Sequence, residues 1–152
     1  MSDILHRVGI NAKPDKVFNA LTTIEGLRGW WSSTATGNAA DGGVINYGFC
    51  DMLVVAAQPD RLVHWRCTGG PDEWLNTEVI FRLDWKDDQT FVVFKHANWK
   101  EPVEFMHHCS TKWATFLLSL RDLVEKSHGH PLSNDLKIAF NEGMRPAAPV
   151  MV

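Results

Sequence analysis

The chain has 152 residues and a net charge of −3, enough for one domain that buries about two-thirds of the surface its unfolded form exposes. It has no basic run able to neutralise a row of phosphates, which argues against nucleic acid, and no apolar run near the roughly 20 residues of a spanning helix, which argues against membrane insertion. Three cysteines at unrelated spacings, and a start (Met1-Ser2-Asp3-Ile4-Leu5-His6-Arg7) that lacks a secretory leader, point to reduced thiols in a cytoplasmic protein.

Leu5 to Asn11 alternates apolar and polar residues and predicts a first strand with Val8 and Ile10 on one face. Pro14, Asp15 and the apolar Val17, Phe18 and Leu21 predict a short helix. Thr22 and Glu25 stand at capping-box spacing and predict a second short helix ending near Trp30-Trp31. Ser32 to Gly43 is a polar, Gly-rich loop holding one edge strand. Val44–Phe49, Met52–Ala57 and Leu62–Cys67 are β-prone runs, parted by turns near Cys50-Asp51 and at Gln58-Pro59-Asp60-Arg61. After a break at Thr68–Asp72, Thr77–Trp85 alternates with Thr77, Val79, Phe81, Leu83 and Trp85 on one side, and Thr90–His96 returns as the last strand. The total is six or seven strands.

Glu101 to Ser127 reads as a helix of roughly seven turns, with Pro102 in its first turn and Gly129 as its stop. Phe105, Cys109, Trp113, Phe116, Leu120 and Leu123/Val124 recur at three- and four-residue steps and form one apolar face. Lys112, Ser119, Arg121, Asp122, Glu125 and Lys126 form the opposite, water-facing side. The apolar stripe needs a broad cover, and the strands are the available one. The expected architecture is therefore α+β, a curved antiparallel sheet gripping one long C-terminal helix. Residues 1–130 form a single domain and 131–152 an extended tail lying along the sheet.

Seven tryptophans are the outlying count. An indole is costly to bury unless its N–H finds a partner, so the cluster predicts an aromatic-lined hollow between helix and sheet. Its expected lining is Trp30, Trp31, Phe49, Trp65, Trp74, Phe81, Phe94, Phe105, Cys109, Trp113 and Phe116, with ordinary core packing as the competing reading for each. His96 shares a strand face with Val92 and Phe94 and is the candidate polar anchor for a ligand, or an acid or base. His108 lies in a polar strip with Thr111, Lys112 and Thr115 and is a second weak catalytic candidate, with Asp51 a third. His107-His108-Cys109 does not predict a metal site, because neighbouring helical residues point about 100° apart. No nucleophile elbow, paired carboxylates or phosphate-binding glycine loop stands out. No cofactor is expected.

The stretch Ala12-Lys13-Pro14-Asp15-Lys16-Val17-Phe18-Asn19-Ala20-Leu21-Thr22, followed by Leu27 and Gly29-Trp30-Trp31, resembles the opening of the START-like SRPBCC superfamily. Within it the chain resembles the branch of homologues of the activator of the heat-shock-protein-ninety ATPase. Gly42-Gly43-Val44-Ile45-Asn46-Tyr47, Pro59-Asp60-Arg61-Leu62-Val63-His64-Trp65 and Asn134-Asp135-Leu136-Lys137-Ile138 carry the same resemblance. It implies a helix-grip fold of about seven strands around an apolar cavity. It also implies three classes of function: binding of a hydrophobic small molecule such as a lipid or polyketide, a cyclase- or dehydratase-like activity in the same cavity, or a co-chaperone-type interaction module. The strand edge after Ser32 and the tail leave homodimerisation open.

Overall fold

The computed structural model describes residues 2–140. The chain runs β1 (Ser2–Ile10), α1 (Pro14–Thr22), α2 (Ile24–Trp30), β2 (Thr36–Gly37), β3 (Val44–Asn46), β4 (Asp51–Gln58), β5 (Leu62–Gly69), a single 3-10 turn (Asp72–Trp74), β6 (Glu78–Lys86), β7 (Gln89–Trp99) and α3 (Glu104–Lys126). The seven strands make one sheet in the order β1-β7-β6-β5-β4-β3-β2, antiparallel throughout. This is the expected α+β helix-grip arrangement. Period-two alternation sends Ile45, Met52, Val54, Val63, Trp65, Cys67, Val79, Phe81, Val92, Phe94 and His96 into one interior, where α3 meets them with Cys109, Trp113, Phe116 and Leu120.

Several boundaries differ from the sequence reading for local reasons. The second helix is capped by Thr23, whose hydroxyl accepts from the Gly26 N–H at 3.0 Å, rather than by Thr22, whose hydroxyl donates back to Phe18 O at 2.7 Å. α3 starts at Glu104 because Val103 takes the extended N-cap conformation, which leaves Pro102 outside the helix. It ends at Ser127, which itself adopts φ +62 and donates its N–H to Leu123 O at 2.9 Å, so the stop is not Gly129. Gly129 has another duty: a Cβ there would stand 2.3 Å from Gly29 O. Trp85 is 48% exposed, because β6 outruns the core as it nears the turn at Asp87 and Asp88.

The largest departure lies on α3. Lys112 and Ser119, placed on the water-facing side by periodicity, are both buried. The segment after the helix crosses that face and supplies their partners. Lys112 Nζ donates to Asp135 Oδ2 and, at 2.9 Å, to Leu136 O. Ser119 Oγ donates to Trp30 O at 2.8 Å and accepts from the His130 N–H at 2.6 Å. Leu132 is held to the end of α2, donating its N–H to Trp31 O at 2.8 Å and accepting from the Ser33 N–H at 3.0 Å. Residues 130–136 therefore lie across α3 and the end of α2 instead of along the sheet. The rest of the expected tail, 141–152, lies outside the described residues.

Candidate functional site

The interior between α3 and the sheet has two corners built from similar residues. At one corner sits His96, fully buried on β7. Trp113 Nε1 donates to His96 Nδ1 at 3.1 Å. An indole can only donate, so Nδ1 carries no proton and Nε2 must. Nε2–H then donates to Thr77 Oγ1 at 2.8 Å, and the Thr77 hydroxyl donates to Trp74 O at 2.6 Å. Every polar atom of this relay is used. Burial lowers the His96 pKa to about 3, so the ring is neutral at physiological pH. Trp74 stands edge-on to His96 at 4.6 Å and parallel to Trp113 at 6.1 Å, and Trp99 stands edge-on to His96 at 5.1 Å.

The other corner centres on Trp31, the residue immediately after α2. Its main chain is pinned on both sides, N–H to Leu27 O and C=O to the Leu132 N–H. Its ring lies parallel to Trp65 at 5.7 Å, with only 2° between planes, and meets Tyr47 at 4.2 Å and Trp113 at 4.8 Å. Here the polar atoms are unmatched. Trp31 Nε1, Trp65 Nε1 and Tyr47 Oη are buried and have no hydrogen-bond partner among the described residues, and the same holds for Trp99 Nε1. Trp74 Nε1 also lacks a full partner, its indole interacting with the Cys109 thiol. Burial pushes Cys109 up to about 12 and Cys67 up to about 11, and it raises Cys50 well above the ordinary thiol range. The thiols stay protonated, so none of them offers these donors an anion.

The expected lining residues fall around these two corners. Trp30 donates its indole N–H to Ala20 O at 3.0 Å and stacks on Trp31 at 5.9 Å. Phe81 bridges Trp65 at 5.0 Å to Phe94 at 5.3 Å, and Phe94 meets Trp113 at 4.6 Å. The rings meet one another across the interior rather than standing apart. Phe49 is half-buried and closes the Trp31 corner, edge-on to Trp31 at 5.7 Å and stacked on Tyr47 at 6.2 Å. Cys109 and Phe116 are buried under α3. Phe105 is half-buried, packs on Trp99 at 6.1 Å and stacks on the half-buried His108 at 6.0 Å. Asp51, at the start of β4, accepts from Asn46 Nδ2 at 2.6 Å. Beside Trp99 a surface cavity of about 260 Å³ is walled by Asp72, Glu73, Lys100, Glu101 and Val103. Among the described residues no cluster of His, Cys, Asp or Glu could hold a metal ion, and no helix is long and apolar enough to cross a membrane.

Sequence reasoning missed Tyr47, Thr77 and Trp99. Tyr47 is the chain's one tyrosine, set between strand and glycine. Trp99 continues the inward face of β7 past a slip in register that two-residue counting does not register.

Comparison with known proteins accords with this architecture. The solution structure of the Aha1 dimer from Colwellia psychrerythraea superposes with a TM-score of 0.77 at 44% identity, covering 85% of this chain and 100% of that one. CalU16 from Micromonospora echinospora aligns at 21% identity and a TM-score of 0.70, over 82% of this chain and 77% of that one. SSP2350 from Staphylococcus saprophyticus aligns at 16% identity and a TM-score of 0.70, over 84% and 95%. The last two share the fold. No curated protein matches the sequence. Residues 11–125 match the family described as Activator of Hsp90 ATPase homolog 1-like protein, and the chain belongs to that family, within the START-like SRPBCC superfamily.

Proposed function

We propose that the protein binds a hydrophobic small molecule between the sheet and α3. The observation that carries this reading is the Trp31 corner, where buried rings present three donors that have no acceptor among the described residues. Native interiors contain few such groups, since each costs about 1–3 kcal/mol when left unmade. A packed aromatic core built only for stability would place its indoles as Trp30 and Trp113 are placed, each on an internal acceptor. His96, with both ring nitrogens engaged, supports a structural role, so binding leads over cyclase- or dehydratase-like catalysis. Titration with fatty acids, sterols and fused-ring compounds, followed by tryptophan emission, is expected to show saturable quenching by at least one class. Emission unchanged across the panel would end this reading.

A second reading rests on the 44% identity to a protein named Aha1, over all of that chain. On it, the domain is a co-chaperone-type module that stimulates the ATPase of Hsp90. Purified protein added to the Hsp90 of its own host should then raise ATP turnover and co-purify with it; neither happening would remove it. The dimeric state of the same relative supports a homodimer here, to be checked by light scattering. Three buried, unpaired thiols support a cytoplasmic setting, to be checked by cell fractionation.

A further inference from the structure

We infer that the outer face of the sheet, where β1, β7, β6 and β5 run side by side, docks an acidic segment of another protein, one that mixes carboxylates with apolar side chains. The inference does not depend on what the interior holds. Register supplies the first argument. On these strands the residues that alternate with the buried ones face outward, and across the sheet they form a checkerboard. In one row Leu5 pairs with Lys95 and Lys95 with Ile80; in the next, Arg7 pairs with Val93, Val93 with Arg82 and Arg82 with Leu62. Each cation therefore has apolar neighbours, and each apolar residue has a cation beside it.

Charge supplies the second. A surface cavity of about 490 Å³ opens over this patch, and among the described residues that line it none is acidic. Arg7, Arg82 and Lys95 thus gather three positive charges on a chain whose net charge is −3. Arg82 shares its charge with Asp84 at 3.1 Å, whereas Arg7 stands over the Phe91 ring at 3.6 Å, and neither Arg7 nor Lys95 has a carboxylate partner among the described residues. On the β5 side His64 is held by Glu78 at 2.5 Å, which bounds the patch. Relief then separates the occupants. Leu5 is 64% exposed, while Leu62, Ile80 and Val93 are a half-buried floor between longer basic side chains. A recessed apolar floor suits side chains that enter it; a bilayer takes apolar tips that outreach their polar neighbours. A second copy placed on the patch by a twofold axis would lay the same three cations over one another.

The test uses the full chain and a peptide, Glu-Leu-Glu-Glu-Leu-Glu repeated twice, with two relatives: Gln for every Glu, and Ala for every Leu. Affinities come from calorimetric titration, and the contact surface from backbone amide shifts in 15N-labelled protein. The acidic peptide is expected to bind at least tenfold tighter than the Gln relative and several-fold tighter than the Ala relative, and to weaken as ionic strength rises. The shifted amides should be those of outward residues on β1, β7 and β6. Arg7→Gln with Lys95→Gln should weaken binding about tenfold and Leu5→Ser several-fold. All three positions are exposed, so the denaturation midpoint should stay unchanged in both variants. No binding, equal binding by either relative, shifts confined to other faces, or unchanged affinity in either variant would overturn the inference. Binding to vesicles of phosphatidylcholine and phosphatidylserine without affinity for the peptide would overturn it in favour of a membrane. A dimer that the Arg7→Gln/Lys95→Gln pair dissolves in light scattering would overturn it in favour of a second copy.

Discussion

The His96 and Trp31 corners share one interior and one palette of residues, yet they differ in completeness. Along the His96 relay each donor has an acceptor and each acceptor a donor, from Trp113 through the imidazole to Thr77 and the Trp74 carbonyl, while the Trp74 and Trp99 indole N–H groups beside it are unmatched among the described residues. At Trp31 two indoles and a phenol have none among the described residues. Burial is equal, so burial does not separate the relay from the unmatched rings; hydrogen-bond accounting, group by group, does. The Lys112–Asp135 pair belongs with the complete class, since the ammonium also reaches Leu136 O and Asp135 also accepts from Lys137 Nζ at 2.9 Å. A group that the chain has satisfied from within should matter to stability. A group that it has left open should matter to binding.

The hardest test of this division is Asp135→Ala, which removes the carboxylate paired with the buried Lys112 ammonium and is expected to cost about 3–5 kcal/mol in chemical denaturation. The double variant Lys112→Met/Asp135→Leu should recover most of that loss. A single-variant cost under about 1 kcal/mol would mean the pair is not part of the complete class. Burial pushes the Asp135 carboxyl up, but hydrogen bonds and charge from Lys112 and Lys137 outweigh it and hold it below its ordinary 3.8. The clasp's contribution is thus present above pH 3.8 and lost as pH falls through the lower folded value.

Next in size is His96→Phe, which leaves the Trp113 N–H unpaired and strips one partner from Thr77. Two hydrogen bonds are involved, and the expected loss is about 2–3 kcal/mol. The same residue has a pH signature. Its pKa falls from 6.5 unfolded to about 3 folded, so the unfolded chain binds the extra proton across that window and stability declines as pH drops below 6.5. The slope should approach 1.4 kcal/mol per pH unit, about one proton. In His96→Phe that slope should vanish above pH 3.8, the region the Asp135 clasp leaves untouched. An unchanged slope there would place the titrating group elsewhere.

The complete class was only half legible in the sequence. Strand alternation put His96 on the inward face with Val92 and Phe94, because period two needs no knowledge of neighbours. It could not say that Trp113, seventeen residues on, would cap one ring nitrogen. Helical periodicity set the Trp113 stripe correctly and misplaced Lys112 and Ser119, since it assumes that the far side of a helix meets water. Here Asp135, brought back across α3, meets it instead. The open class was legible as composition, through the excess of tryptophan. Which indoles lack acceptors depends on ring orientation, and no spacing rule reports that.

The smallest expected effect tests the comparison most sharply. Tyr47→Phe removes one hydroxyl and no carbon, so the ring contacts with Trp31, Phe49 and Trp65 remain. At the His96 corner an equivalent deletion, Thr77→Val, breaks two bonds and should destabilise by about 1–2 kcal/mol. Tyr47 makes none among the described residues, so losing its hydroxyl relieves a desolvation cost and should leave stability unchanged or raise it by up to about 1 kcal/mol. A loss of more than about 0.5 kcal/mol would show that the hydroxyl is already satisfied in the resting protein. The Tyr47 hydroxyl would then be as fully used as the His96 relay, and with it would go part of the reason for placing a ligand at the Trp31 corner.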